Sequence, residues 1–207
     1  MKTAFCTTAR SYLGSIYNGL LDDSDQPPVS TKHITDLAAI FVRYNAYEVL
    51  GIQLIHGHFK ILENSIMVGT NFENLALRRA KNTEIDDIDP ANIYGHIFVL
   101  TADGLYAYEF QDGPLPDLSG VGQGFLPEFV NYIIRNNLTS LIGLQVLGCG
   151  DKSMSELILD QGTVMLDSSV VKNTLPTRVT VFNAGSPHPK LEIVKDLMLV
   201  LADVGVL

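Results

Sequence analysis

Gly95-His-Ile-Phe-Val-Leu-Thr-Ala-Asp-Gly-Leu-Tyr-Ala-Tyr-Glu-Phe110 decides the fold class. Two apolar and aromatic runs, Gly95 to Thr101 and Leu105 to Phe110, flank Asp103-Gly104, a dipeptide that suits a two-residue type I′ turn. The spacing predicts a β-hairpin in which Ala102 faces Leu105, Phe98 faces Glu109 and Val99 faces Tyr108. Strict alternation then places His96, Phe98, Leu100, Ala107 and Glu109 on one face. Ile97, Val99, Tyr106, Tyr108 and Phe110 take the other.

Working outward, Val49 to Ile61 reads as a strand, followed after Glu63-Asn64 by a strand from Ile66 to Thr70. Apolar residues at helical spacing over 3–21 predict a helix. A second runs from a Ser30 or Thr31 cap to about Asn45, with Ile34, Leu37, Ala38, Phe41 and Val42 inward. Residues 73–92 are charged and read as irregular or weakly helical. Phe125 to Asn137 is a helix with Pro127 near its first turn and Phe129, Val130, Ile133 and Ile134 inward. Leu141 to Leu147 and Val179 to Phe182 are strands, and Leu157–Leu159 with Thr163–Leu166 form a hairpin in which Gly162 takes a left-handed position. Pro189 opens a last helix. Hairpins dominate over strand–helix–strand alternation. The expectation is an α+β fold, a mainly antiparallel curved sheet flanked by about four helices, in a single domain over 1–207.

Composition narrows the function classes. The 207 residues are 46% apolar and 18% charged, which excludes disordered, collagenous and coiled-coil chains. Fourteen basic residues against 23 acidic ones give a net charge of −9, so nucleic acid is not an expected partner. Mean hydropathy of +0.19 suggests sheets buried on both faces, an apolar pocket, or a homo-oligomer interface. Cys6 and Cys149 are the only cysteines and lie in no C-x-x-C pair, which fits a reducing compartment. The first ten residues carry no apolar signal core, and no run reaches the roughly 18 apolar residues of a membrane span. The expectation is a cytoplasmic protein without a membrane partner, and the Asn137-Leu-Thr139 sequon is read as chance.

Two histidines stand out in Gly51-Ile-Gln-Leu-Ile-His56-Gly-His58-Phe59. On a strand, positions i and i+2 share a face about 7 Å apart, close enough for both imidazoles to meet one ion. Glu109 is a carboxylate in an aromatic strand, where burial costs several kcal/mol unless it is paired. If the two sheet regions meet, His56, His58 and Glu109 form a two-histidine, one-carboxylate set for a divalent metal (Zn, Fe, Mn or Ni), with His96 as a fourth ligand or supporting partner. The competing structural reading is a pair of hydrogen-bonded or edge histidines, with Glu109 paired to Arg43, Arg78 or Lys60.

The segment Leu54-Ile-His-Gly-His-Phe59, together with the strand around Glu109 and the Pro-rich loop and helix after it, resembles a group of small uncharacterised fungal proteins. These carry an apolar-apolar-His-x-His-Phe strand and are often found near specialised-metabolite genes. The resemblance implies a place in fungal specialised metabolism and directs attention to His56, His58 and Glu109. The group has no assigned reaction, so it implies no role for them. Residues 172–186 look short for such proteins.

Other motifs carry less. Ser119-Gly-Val-Gly-Gln-Gly-Phe125 lacks the preceding strand and third glycine of a dinucleotide fingerprint and the lysine of a phosphate loop, so it reads as a flexible loop or a lid. Asp22-Asp-Ser-Asp-Gln-Pro-Pro28 reads as a solvated connection. Cys149 between two glycines lacks an adjacent base. The functional expectation is a small-molecule enzyme acting on an apolar substrate, a hydrolase, lyase or oxygenase. His56, His58 and Glu109 would hold the metal, with Glu109 and His96 in catalytic roles. The alternatives are a metal-free acid–base isomerase, cyclase or dehydratase, and a small-molecule-binding protein without turnover.

Overall fold

The computed structural model describes residues 14–72, 77–147, 154–167, 176–182 and 187–191. In chain order the described elements are α1 (Gly14–Asn18), α2 (Thr31–Arg43), β1 (Leu50–Leu54), β2 (Ser65–Phe72), β3 (Leu77–Glu84), β4 (Ile93–Thr101), β5 (Gly104–Asp112), α3 (Phe125–Arg135), β6 (Ile142–Val146), β7 (Met154–Leu159), β8 (Gly162–Asp167), β9 (Pro176–Phe182) and β10 (Pro187–Leu191). Short 3-10 turns occupy Asp23–Asp25 and Ile85–Asp87.

The fold is a sheet-rich α+β architecture. Its sheet curls until the order β1-β6-β4-β5-β2-β3-β8-β7-β10-β9 closes, with β9 returning to β1. Closure removes the free edges that an open sheet must protect. The β2–β5 and β7–β10 pairings are parallel and the other described pairings antiparallel, so the mainly antiparallel sheet expected is a mixed one with two parallel joints. Three α-helices are described where about four were expected. The final helix expected from Pro189 begins instead inside strand β10, and the rest of it lies outside the described residues.

Alternation along the strands separates two faces. Leu50, Ile52 and Leu54 of β1 and Ile142, Leu144 and Val146 of β6 pack outward with Phe98, Phe110, Leu37, Phe41, Phe125 and Phe129 in the main core beneath α2 and α3. Phe41 meets Phe125 edge-on at 4.9 Å, a favoured aromatic geometry. α2 starts where its sequence says, with the Ser30 hydroxyl accepting from the His33 amide. Its inward stripe is Leu37, Ile40 and Phe41, whereas Val42 is exposed. In α3, Phe125, Phe129 and Ile133 are buried and Ile134 is exposed. A smaller group, Tyr17, Ile55, Ile61, Met67, Ala80, Ile97, Val99 and Tyr108, packs on the opposite face. That face lines the barrel, and Tyr17 of α1 packs there against Phe59 and Tyr108 at ring-centroid distances of 5.9 and 6.4 Å.

The hairpin forms, in a different register. Thr101 pairs with Gly104, so Ala102-Asp103 makes the turn, and Gly104 takes a positive φ of 131°. Val99 faces Tyr106 and Phe98 faces Ala107. Register shifts on both sides of Ile97 then bring Ile97 opposite Glu109 and Gly95 opposite Phe110. Such bulges reset alternation. Phe98, Ala107 and Phe110 therefore share the outer core, while Ile97, Val99 and Tyr108 line the barrel. In the second hairpin Leu159 pairs with Gly162 across Asp160-Gln161, and Gly162 needs no left-handed conformation. It is glycine because a Cβ there would lie 2.5 Å from the Ala80 carbonyl oxygen.

Two segments expected as loops are structured. Leu77–Glu84 is strand β3, paired with both β2 and β8. The glycine-rich stretch before α3 is pinned rather than lid-like: Leu118 and Val121 enter the main core and the Gly122 amide donates to the Tyr44 carbonyl at 2.8 Å. No described helix is long and apolar enough to cross a membrane.

Candidate metal centre inside the barrel

β1 ends at Leu54, and the chain turns inward immediately after it. The Ile55 amide donates to the Leu141 carbonyl at 2.9 Å and the Gly57 amide to the Leu21 carbonyl at 2.9 Å. Gln26 Nε2 donates to the Ile55 carbonyl at 2.8 Å. The segment from Leu21 to Gln26 thus clamps residues 55–57 over the barrel end. Gly57 suits this close approach, since a Cβ there would sit 3.3 Å from Leu20 Cβ. His56 and His58 come together through this irregular backbone, with ring centroids 4.7 Å apart, and not through the strand periodicity expected of them. Ile52 and Leu54, their expected face-mates, point to the outer core.

The carboxylate that meets both rings is Glu156 on β7. His56 Nε2 lies 3.9 Å from Glu156 Oε2, and His58 Nε2 lies 3.7 Å from Glu156 Oε1. Donor atoms of the three residues all fall within 4.8 Å of one another. Two ligands bound at about 2.1 Å stand at most about 4.2 Å apart, and both Glu156 contacts satisfy that bound. The His58 side chain is 4% exposed and that of Glu156 10%.

The far side of each imidazole is fixed by an oxygen. His56 Nδ1 donates to the Leu54 carbonyl at 2.5 Å. His58 Nδ1 lies 3.5 Å from Asp22 Oδ2. An oxygen acceptor at Nδ1 keeps the proton there and turns the Nε2 lone pair toward the centre, as oxygen partners do behind metal-bound histidines. The acidic segment expected as a solvated connection is thus part of the site. Asp22 braces His58 and itself accepts from the Ser24 amide and hydroxyl, and Asp23 is buried. Asp22, Asp23 and His58 form a second group of converging donors on that side.

Electrostatics follow from this packing. Burial alone would lower the pKa of His56, but the Glu156 carboxylate outweighs it and raises the value. Burial alone would raise Glu156, yet His56 and His58 hold its carboxyl well below the usual range. The two shifts have one cause, the mutual attraction of the His56 ring and the Glu156 carboxylate across the buried centre.

Glu109 occupies a neighbouring position. It lies 3.5 Å from Arg78 Nη2, and Arg78 Nε donates to Gln111 Oε1 at 2.7 Å. Both side chains cross over Gly69, where a Cβ would lie 2.4 Å from Arg78 Nη2 and from Gln111 Oε1. Burial raises the Glu109 pKa, Arg78 opposes the rise, and the charges of Glu156, His56 and His58 all act on it. Glu109 faces the metal-type cluster electrostatically without being one of its three converging donors. His96 is not one of the converging donors either. It contacts Gln145, with Gln145 Nε2 3.1 Å from His96 Nε2. Cys149 lies outside the described residues.

Sequence reasoning missed Glu156 and Asp22, whereas Arg78 was one of the three partners it offered for Glu109 and is the one the structure places there. Glu156 had a readable signal, the same one that marked Glu109: a lone carboxylate in Met154-Ser-Glu-Leu-Ile-Leu159, an otherwise apolar strand. Comparison with protein-family models, curated proteins and solved structures finds no match to this chain.

Proposed function

We propose that the chain is a metal-dependent enzyme that transforms an apolar small molecule inside the barrel, with His56, His58 and Glu156 holding a divalent ion. The observation that carries this reading is the orientation of the two rings. Each has an oxygen at Nδ1 and presents Nε2 to a different oxygen of one buried carboxylate. Two neutral imidazoles and one carboxylate suit Zn, Fe(II), Mn or Ni and leave coordination positions open. A bound ion supplies an electrophile for a substrate oxygen or water. Glu109 supplies proton transfer: burial keeps its carboxyl more basic than usual, and Arg78 fixes its position. The apolar face of the chamber, Met67, Ile97, Val99 and Tyr108, suits a substrate with little charge.

Metal analysis of untagged protein tests the assignment. The expected result is one equivalent of zinc or iron, lost in His56→Ala, His58→Ala and Glu156→Gln and retained in Glu109→Gln. Metal-free protein that also fails to take up added zinc would remove the reading. A metal-free alternative draws on the raised pKa values of His56 and Glu109, which suit an acid–base pair for isomerisation, cyclisation or dehydration. Turnover that resists chelators and disappears in Glu109→Gln selects that alternative.

A further inference from the structure

The inner faces of β1 and β6 carry Gln53 and Gln145, opposite in direction to the apolar residues that flank them in sequence. A glutamine turned into a barrel is costly unless its amide is satisfied. Gln53 Nε2 donates to the Leu54 carbonyl at 3.1 Å, and Gln145 Nε2 donates to His96 Nε2 at 3.1 Å. The Oε1 atom of each is buried without a hydrogen-bond partner. The side chains are deeply enclosed: Gln53 is 3% exposed, Gln145 7% and His96 3%.

These residues form one patch. Gln53 stands opposite Gly143, two positions from Gln145 on the same face of β6, and Ile97 next to His96 pairs with Gln145. His96 Nε2 accepts from Gln145, so the ring proton sits on Nδ1. Burial, and then the Arg78 charge, keep the ring neutral. The patch therefore offers two amide-oxygen acceptors, one neutral N–H donor at His96 Nδ1, and no cation. Gln53 precedes His56 by three residues, so the chain holds their backbones within about 10 Å of each other.

We propose that the patch of Gln53, Gln145 and His96 holds the polar handle of the substrate, a neutral O–H or N–H group whose hydrogens the two amide oxygens accept. This rests on the reading of the barrel as the substrate chamber and adds what the substrate carries. The substrate is an apolar molecule with an alcohol, phenol or amide-type donor, its reacting atom lying toward the histidines. An anionic group is disfavoured there, because two carbonyl dipoles point at it against a single N–H and no cation is present in the patch.

The test uses three matched pairs: phenol, 2-naphthol and 1-decanol, each against its own methyl ether, titrated calorimetrically into the whole chain with and without zinc. The expected result is that the hydroxyl compounds bind about tenfold more tightly than their ethers, because an ether leaves the buried oxygens unpaired. In Gln53→Leu and in Gln145→Leu the preference falls to within about twofold. Equal affinity within every pair, no binding by any of the six compounds, or a preference that survives both substitutions overturns the proposal. In the first two cases water alone serves the two oxygens. The comparison within the wild-type chain is decisive even where a variant fails to fold. Zinc stoichiometry in the same samples separates the two readings: one equivalent without hydroxyl preference sinks only the patch, and hydroxyl preference without zinc binding sinks only the metal centre.

Discussion

The same two strands look entirely different from their two sides. Outward, β1 and β6 present Leu50, Ile52, Leu54, Ile142, Leu144 and Val146 to α2 and α3. Inward, they present Gly51, Gln53, Gly143 and Gln145. The main hydrophobic core lies between barrel and helices, and the lumen carries charge and hydrogen-bonding groups. Buried apolar surface supplies most of folding stability, whereas buried polar groups rarely add to it. The fold thus places most of its stabilising apolar packing on the outer face and gathers the buried charges of Arg78, Glu109 and Glu156 on the inner one. The largest effects should accordingly come from the outside. Phe41→Ala and Leu144→Ala are expected to cost about 3–5 and 2–5 kcal/mol in denaturant unfolding. An apolar inner residue such as Val99 proving as costly to truncate would break the division.

The inner face has one exception, the Arg78–Glu109 pair. Arg78→Met leaves a buried carboxylate without its partner and is expected to cost about 3 kcal/mol near neutral pH. Its pH dependence has a defined sign. Burial raises Glu109 above its ordinary value of 4.5, with Arg78, Glu156, His56 and His58 as the surrounding charges. The folded protein therefore binds this proton more tightly than the unfolded chain. The stability from the protonated form is fully present below pH 4.5 and is lost as pH rises through the raised value. Removing Arg78 pushes that value higher, so the variant should recover stability in acid. Melting curves across pH would show it, and Arg78→Met combined with Glu109→Gln should abolish the dependence.

This division also explains what could be read from sequence. The outer face follows simple periodicity, so α2 with its Ser30 cap, α3, and the strands around Phe98 and Leu144 were legible. The inner face does not. Strand β3 reads Leu77-Arg-Arg-Ala-Lys-Asn-Thr-Glu84, without apolar alternation, because Arg78 faces Glu109 inside the barrel. The bulges beside Ile97 moved His96 and Glu109 out of phase with Phe98 and Ala107. The His-x-His pair was visible as a motif, but its carboxylate depends on closure of the sheet, which leaves only β10 and β9 between β7 and β1. No local pattern encodes that juxtaposition.

Asp22 sharpens the comparison from the solvent side, its side chain being 38% exposed. Asp22→Asn removes charge behind His58 while preserving shape. It should weaken zinc binding about 10–100-fold without changing the stoichiometry at saturation. Competition against a chromophoric chelator measures this. Unchanged affinity would mean that the Leu54 carbonyl behind His56 suffices and that the acidic segment only clamps residues 55–57.

The smallest effect is expected where intuition about buried side chains predicts a large one. Gln145 is as enclosed as many outer-core residues, and truncating those costs several kcal/mol. Gln145→Leu instead keeps the volume and removes an amide oxygen that has no partner. It also frees His96 Nε2 from its donor, which offsets part of the gain. The net change in unfolding free energy should stay within about 1 kcal/mol in either direction. Gln53→Leu should behave similarly, its lost amide bond being only to the neighbouring Leu54 carbonyl. A loss above about 2 kcal/mol in both would show that ordered water completes these groups and that they brace the barrel. The lumen would then contribute to stability as the outer face does, and the separation of roles between the two sides of β1 and β6 would fail where it is most exposed to test.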